Sequence, residues 1–342
     1  MANLRKRSMA MVMVAAALAL LWWSESVVAE GLSLEIFVAE PEEINVTSAL
    51  IMGPTEMMVM SAQGTRSAAL RLADLIESKG LALKYVFLSH PHLDHSQGAG
   101  ILLERFPEAR FIATPEVAAL QRHRIPLDDK MATSRYGTNA AVPSLPAEDY
   151  LADTIEIDGY PIEIWKDIIG DAGIGHPDEP HVALHIPALN ALLPSDVVYY
   201  NAHVMLGGTT EESRRIWLEQ LNSWLAMDLS VVVPGHMPKG ADLSPNGALT
   251  HTRDYILAYD RAMARHDNAD AVIKLMLEQY PNTPHRSALL LGTYLNFSQM
   301  HRLTFNPKVE KVASWLPRSL VEWADRKLFE QRKKAYNNLA EE

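Results

Sequence analysis

Three imidazoles and a carboxylate fall within six residues in the segment Ser89-His90-Pro91-His92-Leu93-Asp94-His95-Ser96-Gln97-Gly98. The segment follows an apolar run, Tyr85 to Ser89, that reads as a strand, and it leads into a helical pattern from about Gln97 to Phe106. At the end of an extended strand residues i and i+2 point the same way, so His90 and His92 can share one ion. The turn into the helix carries Asp94 and His95 to a second position nearby. Two adjacent metal positions are the natural reading. The chain has no Cys, which removes thiolate zinc sites, thiol catalysis, disulfides and lipid attachment through Cys together. Any metal must rest on His and carboxylates.

The elements that would position this turn alternate. Strand patterns at Leu32 to Val38, Thr47 to Met52 and Met57 to Ser61, separated by turn residues such as Gly53, Pro54 and Gly64, suggest a meander. Thr65 to Ser78 carries Ala69, Leu70, Leu72, Leu75 and Ile76 at helical spacing and stops at Gly80, a C-terminal cap. The strand before the His turn, the helix after it, a strand at Arg110 to Thr114 and a helix after Pro115 complete a βαβα order, which implies parallel pairing with helices outside. Residues 124–150 hold Pro126, Gly137, Pro143 and Pro146 without a clean period, and read as a lid or loop insertion. Strand patterns return at Asp153 to Ile157, Pro161 to Trp165, Val182 to Ile186, Ala191 to Pro194 and Ser230 to Val233. Between the last two lies a helix, Glu211 to Met227, whose start fits a capping box of Thr209 and Glu212. Beyond about residue 245 the pattern is helical, at Ala248 to Arg265, Asp270 to Gln279 and Leu320 to Ala340.

Composition sets the outer limits. With 342 residues, 48% hydrophobic and seven Trp, the chain can bury a sizeable core. Arg5, Lys6 and Arg7 precede fifteen uncharged residues, Met9 to Trp23, a run short for a bilayer span, and Val27 and Ala29 supply the small residues of a cleavage site. Residues 1–29 are therefore expected to be a signal peptide cut after Ala29, and the rest periplasmic or secreted, with the membrane reached only through an uncleaved signal. The full chain carries a net charge of −11; without residues 1–29 it has 28 basic against 41 acidic residues, a net −13. That balance argues against nucleic acid as a partner and leaves a small-molecule substrate as the expectation.

The pattern HxHxDH after a strand, within βαβ units, resembles the metallo-β-lactamase superfamily of metallohydrolases. The likeness spans about residues 32–240 and implies an α/β four-layer αββα sandwich, with the metal site at one edge of the two sheets. Here the core would run over residues 30–244, followed by a C-terminal helical appendage over residues 245–342. Gly175-His176-Pro177-Asp178 looks like the family's third motif. Asp196, ending the run Leu192-Leu193-Pro194-Ser195, resembles the bridging Asp, and Val231-Val232-Val233-Pro234-Gly235-His236 resembles the final strand and His. By that resemblance His90, His92 and His176 would hold one metal and Asp94, His95 and His236 the other, with Asp196 between them. Two zinc ions per chain suit these N and O donors, and manganese or iron are admissible on the same atoms. His181 and His185 are rivals to His176, but both alternate with Val182, Leu184 and Ile186 and would form the opposite face of their strand. Two departures stand out: Ser61 takes the place where the family usually ends its early strand with an Asp, and Ser195 the place of a Gly before the bridging Asp.

Two metals about 3.5 to 4 Å apart deprotonate a shared water and polarise an electrophilic oxygen, so the resemblance implies a binuclear hydrolase. The bond attacked would be an ester, lactone, thioester or similar small-molecule bond. Asp94 would orient the bridging hydroxide and carry its proton to the leaving group. Tyr199, Tyr200 and His203 are candidates for substrate contact, although an aromatic at a strand end commonly packs. Two alternatives remain: a mono-iron enzyme of the same fold resembling sulfur dioxygenases, and a non-catalytic exported binding protein using its helical tail. Selectivity is expected in the lid and the C-terminal helices.

Overall fold

The computed structural model describes residues 26–29, 31–172 and 179–299, with scattered positions between 302 and 327. Residues 1–25 of the expected signal, the third-motif His176 with Asp178, and most of the expected Leu320 to Ala340 helix lie outside the described residues. No described helix is long and apolar enough to cross a membrane.

The first sheet runs in chain order from β1 (Ser26–Ala29) through β2 (Leu32–Val38), β3 (Thr47–Met52), β4 (Glu56–Met60), β5 (Ala82–Phe87) and β6 (Arg110–Ala113) to β7 (Glu148–Asp149). Strands β2 to β4 pair antiparallel, as the meander pattern anticipates; β1, within the stretch expected as signal, adds antiparallel to β2, and β4 to β7 pair parallel. Parallel neighbours need crossovers. These are α1 (Arg66–Lys79), the short α2 (Leu93–Ser96) with α3 (Ala99–Arg105), and α4 (Pro115–Tyr136). Thr65 caps α1 by accepting from Ala68 N, and Gly80 ends it in the left-handed region, φ 67°, where a side chain is disfavoured.

The second sheet has the order β12 (Val231–His236), β11 (Ala191–Tyr199), β10 (His181–Ile186), β9 (Tyr160–Ile168), β8 (Thr154–Ile157). Only β11 and β12 are parallel, joined through α5 (Glu211–Leu225). Alternation along these strands decides what each residue meets. Leu193, Val231 and Val233 join the cluster shared with β2 to β6, while Leu192, Val197 and Val232 face a second cluster with Trp217, Leu249, Tyr255 and Tyr259. The second cluster buries α5, α6 (Pro245–Arg265), α7 (Ala269–Gln279) and α8 (Arg286–Asn296) against the sheet. The layers are therefore αββα. The C-terminal helices form part of the outer layer, because their apolar faces share one core with α5.

Two local readings differ from expectation. The stretch expected as a lid from residue 124 begins as helix: α4 continues through Pro126 to Tyr136. Its Gln121, Asp128 and Ala132 are buried, and Asp129 accepts from the backbone and hydroxyl of Ser144, so packing compensates the hydrogen bond that Pro126 cannot donate. The capping box of α5 lies one residue later than Thr209 and Glu212. Thr210 and Ser213 form it, because the Thr209 hydroxyl is engaged by Leu206 O and Arg214.

Candidate metal centre

The site lies where β5, β11 and β12 end. Leaving β5, the chain turns through His90 and His92 and starts α2, so Asp94 and His95 point back beneath the turn. Close backbone approach is required here: a Cβ on Gly64 would lie 2.6 Å from Asp94 Cα, and one on Gly235 would lie 1.8 Å from Asp196 Oδ1. Both places admit only glycine without rearrangement.

Two groups of ligand-type side chains converge: His90, His92, Asp171 and Asp196 in one, and Asp94, His95, Asp196 and His236 in the other, with ligand atoms in each within 4.8 Å of one another. Asp196 belongs to both. His95 Nε2 lies 3.1 Å from Asp196 Oδ1, and His236 Nε2 lies 3.2 Å from Asp196 Oδ2 and 3.5 Å from Asp94 Oδ2. His90 Nε2 lies 3.5 Å from Asp196 Oδ2.

Three of the imidazoles are braced at Nδ1, leaving Nε2 toward the cluster. Ser89 Oγ is 3.0 Å from His90 Nδ1, Ser61 Oγ is 2.9 Å from His95 Nδ1, and His236 Nδ1 donates to Ile44 O at 2.8 Å. Such outer contacts set ring orientation and tautomer. Ile44 itself sits at φ 59°, a left-handed backbone that a β-branched residue seldom adopts, at the point where its carbonyl holds the ligand-type His. The Ser61 and Ser195 departures have structural counterparts. Ser61 supplies a neutral hydroxyl behind His95, and Ser195 occupies φ 51°, the conformation glycine takes without strain.

His92 is turned the other way. Its Nδ1 lies 3.4 Å from Asp171 Oδ2 and its Nε2 3.2 Å from Glu179 Oε1. Arg124 of α4 donates to the same Glu179 oxygen at 2.9 Å. Tyr199 OH donates to Asp171 Oδ2 and Asp196 Oδ2, each at 3.1 Å, tying the two carboxylates together. His181 stacks on His90 with centroids 4.8 Å apart and donates from Nε2 to Asp171 O at 2.7 Å.

The electrostatics follow from crowding charges without water. Burial opposes charge on Asp94, His236, His92, Asp171 and His181, yet facing groups overrule it in several. Burial would raise Asp94, but His95 and His236 hold it down to about 2. Burial would lower His236, but Asp196 and Asp94 lift it to about 9. His92 is likewise raised, to about 10, by Asp171 and Glu179 against its burial. Asp171 goes up, through burial and the nearby Asp196 and Glu179 carboxylates. His181 is pushed down to about 4 by burial and His92.

This donor set fits divalent metal ions. Buried Nε2 of His90 and His95 and buried carboxylate oxygens of Asp171 and Asp196 have no hydrogen-bond partner among the described residues. Buried polar atoms are normally paired, and an ion on these N and O donors would pair them.

Of the residues singled out from sequence, the structure brings together His90, His92, Asp94, His95, Asp196 and His236. Tyr199 borders them through its hydroxyl. His203 does not join; it is fully buried with Nδ1 on Tyr255 OH at 2.8 Å. Tyr200 packs near His251. Of the two rivals, His185 faces away and pairs with Glu163, as its alternation suggests. His181 instead reaches the site edge, because the register of β10 on β9 shifts between His181 and Ala183. Asp171, Glu179, Arg124 and His285 are site residues that the sequence pattern does not mark. Asp171 and Glu179 lie in a loop with no periodicity, Arg124 falls in the stretch expected as a lid, and His285 comes from the C-terminal part. Its ring centroid is 4.5 Å from that of His236 and 6.1 Å from that of Tyr199, nearly parallel to both.

A four-layer αββα sandwich with paired His and Asp clusters at the strand ends defines a class of metal-binding α/β proteins. The model of the metallo-beta-lactamase superfamily matches residues 61–236, just over half of the chain, and the chain belongs to that superfamily. Its members are mostly metal-dependent hydrolases. Among solved structures, a beta-lactamase domain protein from Burkholderia ambifaria is 18% identical with a TM-score of 0.55, over 81% of this chain and 87% of that one. A metallo-beta-lactamase family protein from Thermus thermophilus is also 18% identical, with a TM-score of 0.55 over 79% of this chain and 93% of its own. At that identity the likeness is one of fold. No curated protein matches the sequence.

Proposed function

We propose that this protein is an exported binuclear metal-dependent hydrolase acting on an ester, lactone, thioester or similar bond of a small molecule. One observation carries the reading: two ligand-type clusters share a single carboxylate, Asp196, at the edge of the sandwich. His90, His92, Asp171 and Asp196 would hold one ion, and Asp94, His95, Asp196 and His236 the other, with His176, on its motif alone, a further candidate donor. When bound, a pair of divalent ions, zinc in this reading, supplies activation of water near neutral pH and polarisation of the substrate's oxygen. The chain supplies the rest. Tyr199 fixes the two carboxylates, Ile44 O and Ser61 fix the rings of His236 and His95, and Asp94, ionised and partly exposed at 16%, is the carboxylate placed to accept a proton at Oδ2 and return it to the leaving group. Export rests on Arg5 to Arg7 and the uncharged Met9 to Trp23 run. The acidic balance supports a small-molecule partner over nucleic acid.

A second reading has its own support. His90, His92 and Asp171 compose two His and one carboxylate, the donor set of mono-iron oxygenases. Elemental analysis of the mature protein, purified without chelator, separates the two. About two zinc per chain, halved in His92→Ala, accompanies the binuclear hydrolase; about one iron turns the reading to oxygen chemistry. Absence of metal even after reconstitution would sink both and leave a binding role.

A further inference from the structure

Two loops beside Asp94, His95 and His236 carry backbone that residues other than glycine seldom adopt. Ile44 and Asn45, between β2 and β3, sit at φ 59° and 54°, and Ser61 and Gln63, between β4 and α1, at φ 72° and 74°. Such conformations persist only where surrounding structure imposes them. Both loops touch the ligand-type residues. Ile44 O accepts the Nδ1 proton of His236 at 2.8 Å, and Asn45 O accepts from Met237 N at 3.3 Å. Ser61 Oγ stands 2.9 Å from His95 Nδ1, Ala62 N donates to His95 O at 2.7 Å, and Gly64 packs on Asp94 Cα. The strained conformations and the ring orientations therefore depend on whatever holds the two loops.

Glu43 joins them. It closes the turn Pro41–Glu43 immediately before Ile44, where Glu40 N donates to its Oε2 at 3.2 Å. Across to the other loop, its Oε1 accepts from Thr65 Oγ1 at 2.8 Å and from Ser67 Oγ at 2.5 Å, and Arg71 of α1 pairs with its Oε2. Burial would raise the Glu43 carboxyl, but the Ser67 and Thr65 hydroxyls, the Glu40 amide and Arg71 hold it below its usual range, so it is ionised at neutral pH. Its side chain is only 10% exposed, and hydrogen bonds to an ionised acceptor are stronger than neutral ones. Gln63 adds a second tie between the same loops, donating from Nε2 to Val46 O at 3.2 Å and to Ser48 Oγ at 2.7 Å.

We infer that Glu43 is a positioning residue for one half of the centre: it locks the loops 40–46 and 61–65 together, so that the Ile44 carbonyl, the Ser61 hydroxyl and the Gly64 backbone hold His236, His95 and Asp94 around one ion. The inference rests on the metal-dependent reading for that ion. The other half, braced by Ser89, Glu179 and Arg124, takes no contact from either loop through these groups.

That asymmetry supplies the test. Glu43→Ala is made in two backgrounds: His92→Ala, which leaves Asp94, His95, Asp196 and His236 to bind, and His95→Ala, which leaves His90, His92, Asp171 and Asp196. Zinc affinity is measured in each by competition with a chromophoric chelator. Glu43→Ala is expected to weaken zinc about tenfold or more in the first background and less than about twofold in the second. A merely structural role would lower stability without sorting the two ions, so equal weakening in both backgrounds, or none in the first, overturns the assignment. Glu43→Gln, which keeps an oxygen for the Thr65 and Ser67 hydroxyls, serves if Glu43→Ala fails to fold; about a threefold loss is then expected in the first background alone, because neutral hydrogen bonds are weaker than charged ones. If neither background binds zinc, the metal reading falls and Glu43 is judged on His236 itself. The Nδ1 proton of His236, followed by proton–nitrogen correlation spectra, should exchange with solvent about tenfold faster in Glu43→Ala than in the native chain. An unchanged exchange rate overturns the clamp.

Discussion

Around Asp94, His95 and His236 the bracing groups are uncharged, the Ser61 hydroxyl and the Ile44 carbonyl. Around His90, His92 and Asp171 the chain adds a buried Glu179 against His92 and answers it with Arg124 from α4. The braces of the first group hang on the end of the first sheet, because Ser61 follows β4 and Ile44 precedes β3. The second hangs on a helix and a loop through buried charges. A neutral brace costs little when disturbed, whereas an ion pair out of water leaves an uncompensated charge if one partner is lost. The two halves of the centre should therefore fail in different ways, although they share Asp196.

The shared carboxylate gives the largest effect. Asp196→Ala should take bound metal from about two ions per chain to near zero and lower kcat/KM by about a thousandfold or more, read by elemental analysis and ester hydrolysis. Full retention of one ion would show that the clusters are independent. Arg124→Leu should act on one half alone. It removes one partner of Glu179, whose side chain is 1% exposed and keeps His92 beside it, at a cost of about 1.5 to 3 kcal/mol for one charged hydrogen bond. Denaturant unfolding checks the cost, and the metal remaining should be the one held by Asp94, His95 and His236. Equal loss of both ions would erase the distinction drawn between the halves. Ser61→Ala removes the neutral brace behind His95 and should weaken one ion about tenfold, measured by competition with a chelator, leaving the other unchanged.

The smallest effect concerns backbone. Ser195 holds φ 51° with a buried hydroxyl that has no partner among the described residues. Ser195→Gly should stabilise the protein by about 1 kcal/mol, seen as a rise of about 2 °C in Tm with metal content unchanged. A loss of stability would mean that the hydroxyl is engaged when metal is bound.

Much of the centre was legible because its donors are local. His90, His92, Asp94 and His95 lie in one turn, Asp196 follows the apolar run Leu192 to Ser195 within β11, and His236 ends the apolar β12, so residue type and strand pattern suffice to mark them. The strands themselves were legible for the same reason: Leu32–Val38 and Thr47–Met52 are bounded in the structure as the alternation indicates. Boundaries shifted where side chains compete for the backbone, as at Thr209 and Thr210. The course of α4 through Pro126 was not legible, since tertiary packing compensates a local helix breaker.

Sequence alone determined the chemistry available to this chain: His and carboxylate donors, no thiols, an acidic balance and an alternating α/β order. Those properties depend on residue type and on spacing within a few positions. The tertiary structure decided the membership of the site. Asp171, Glu179, Arg124 and His285 lie 34 to 195 residues from His90 along the chain, and no local pattern marks them. They meet only because β9, β10, α4 and the α7 to α8 connection end at one edge of the sandwich, where the cost of burying charge selects which side chains face each other.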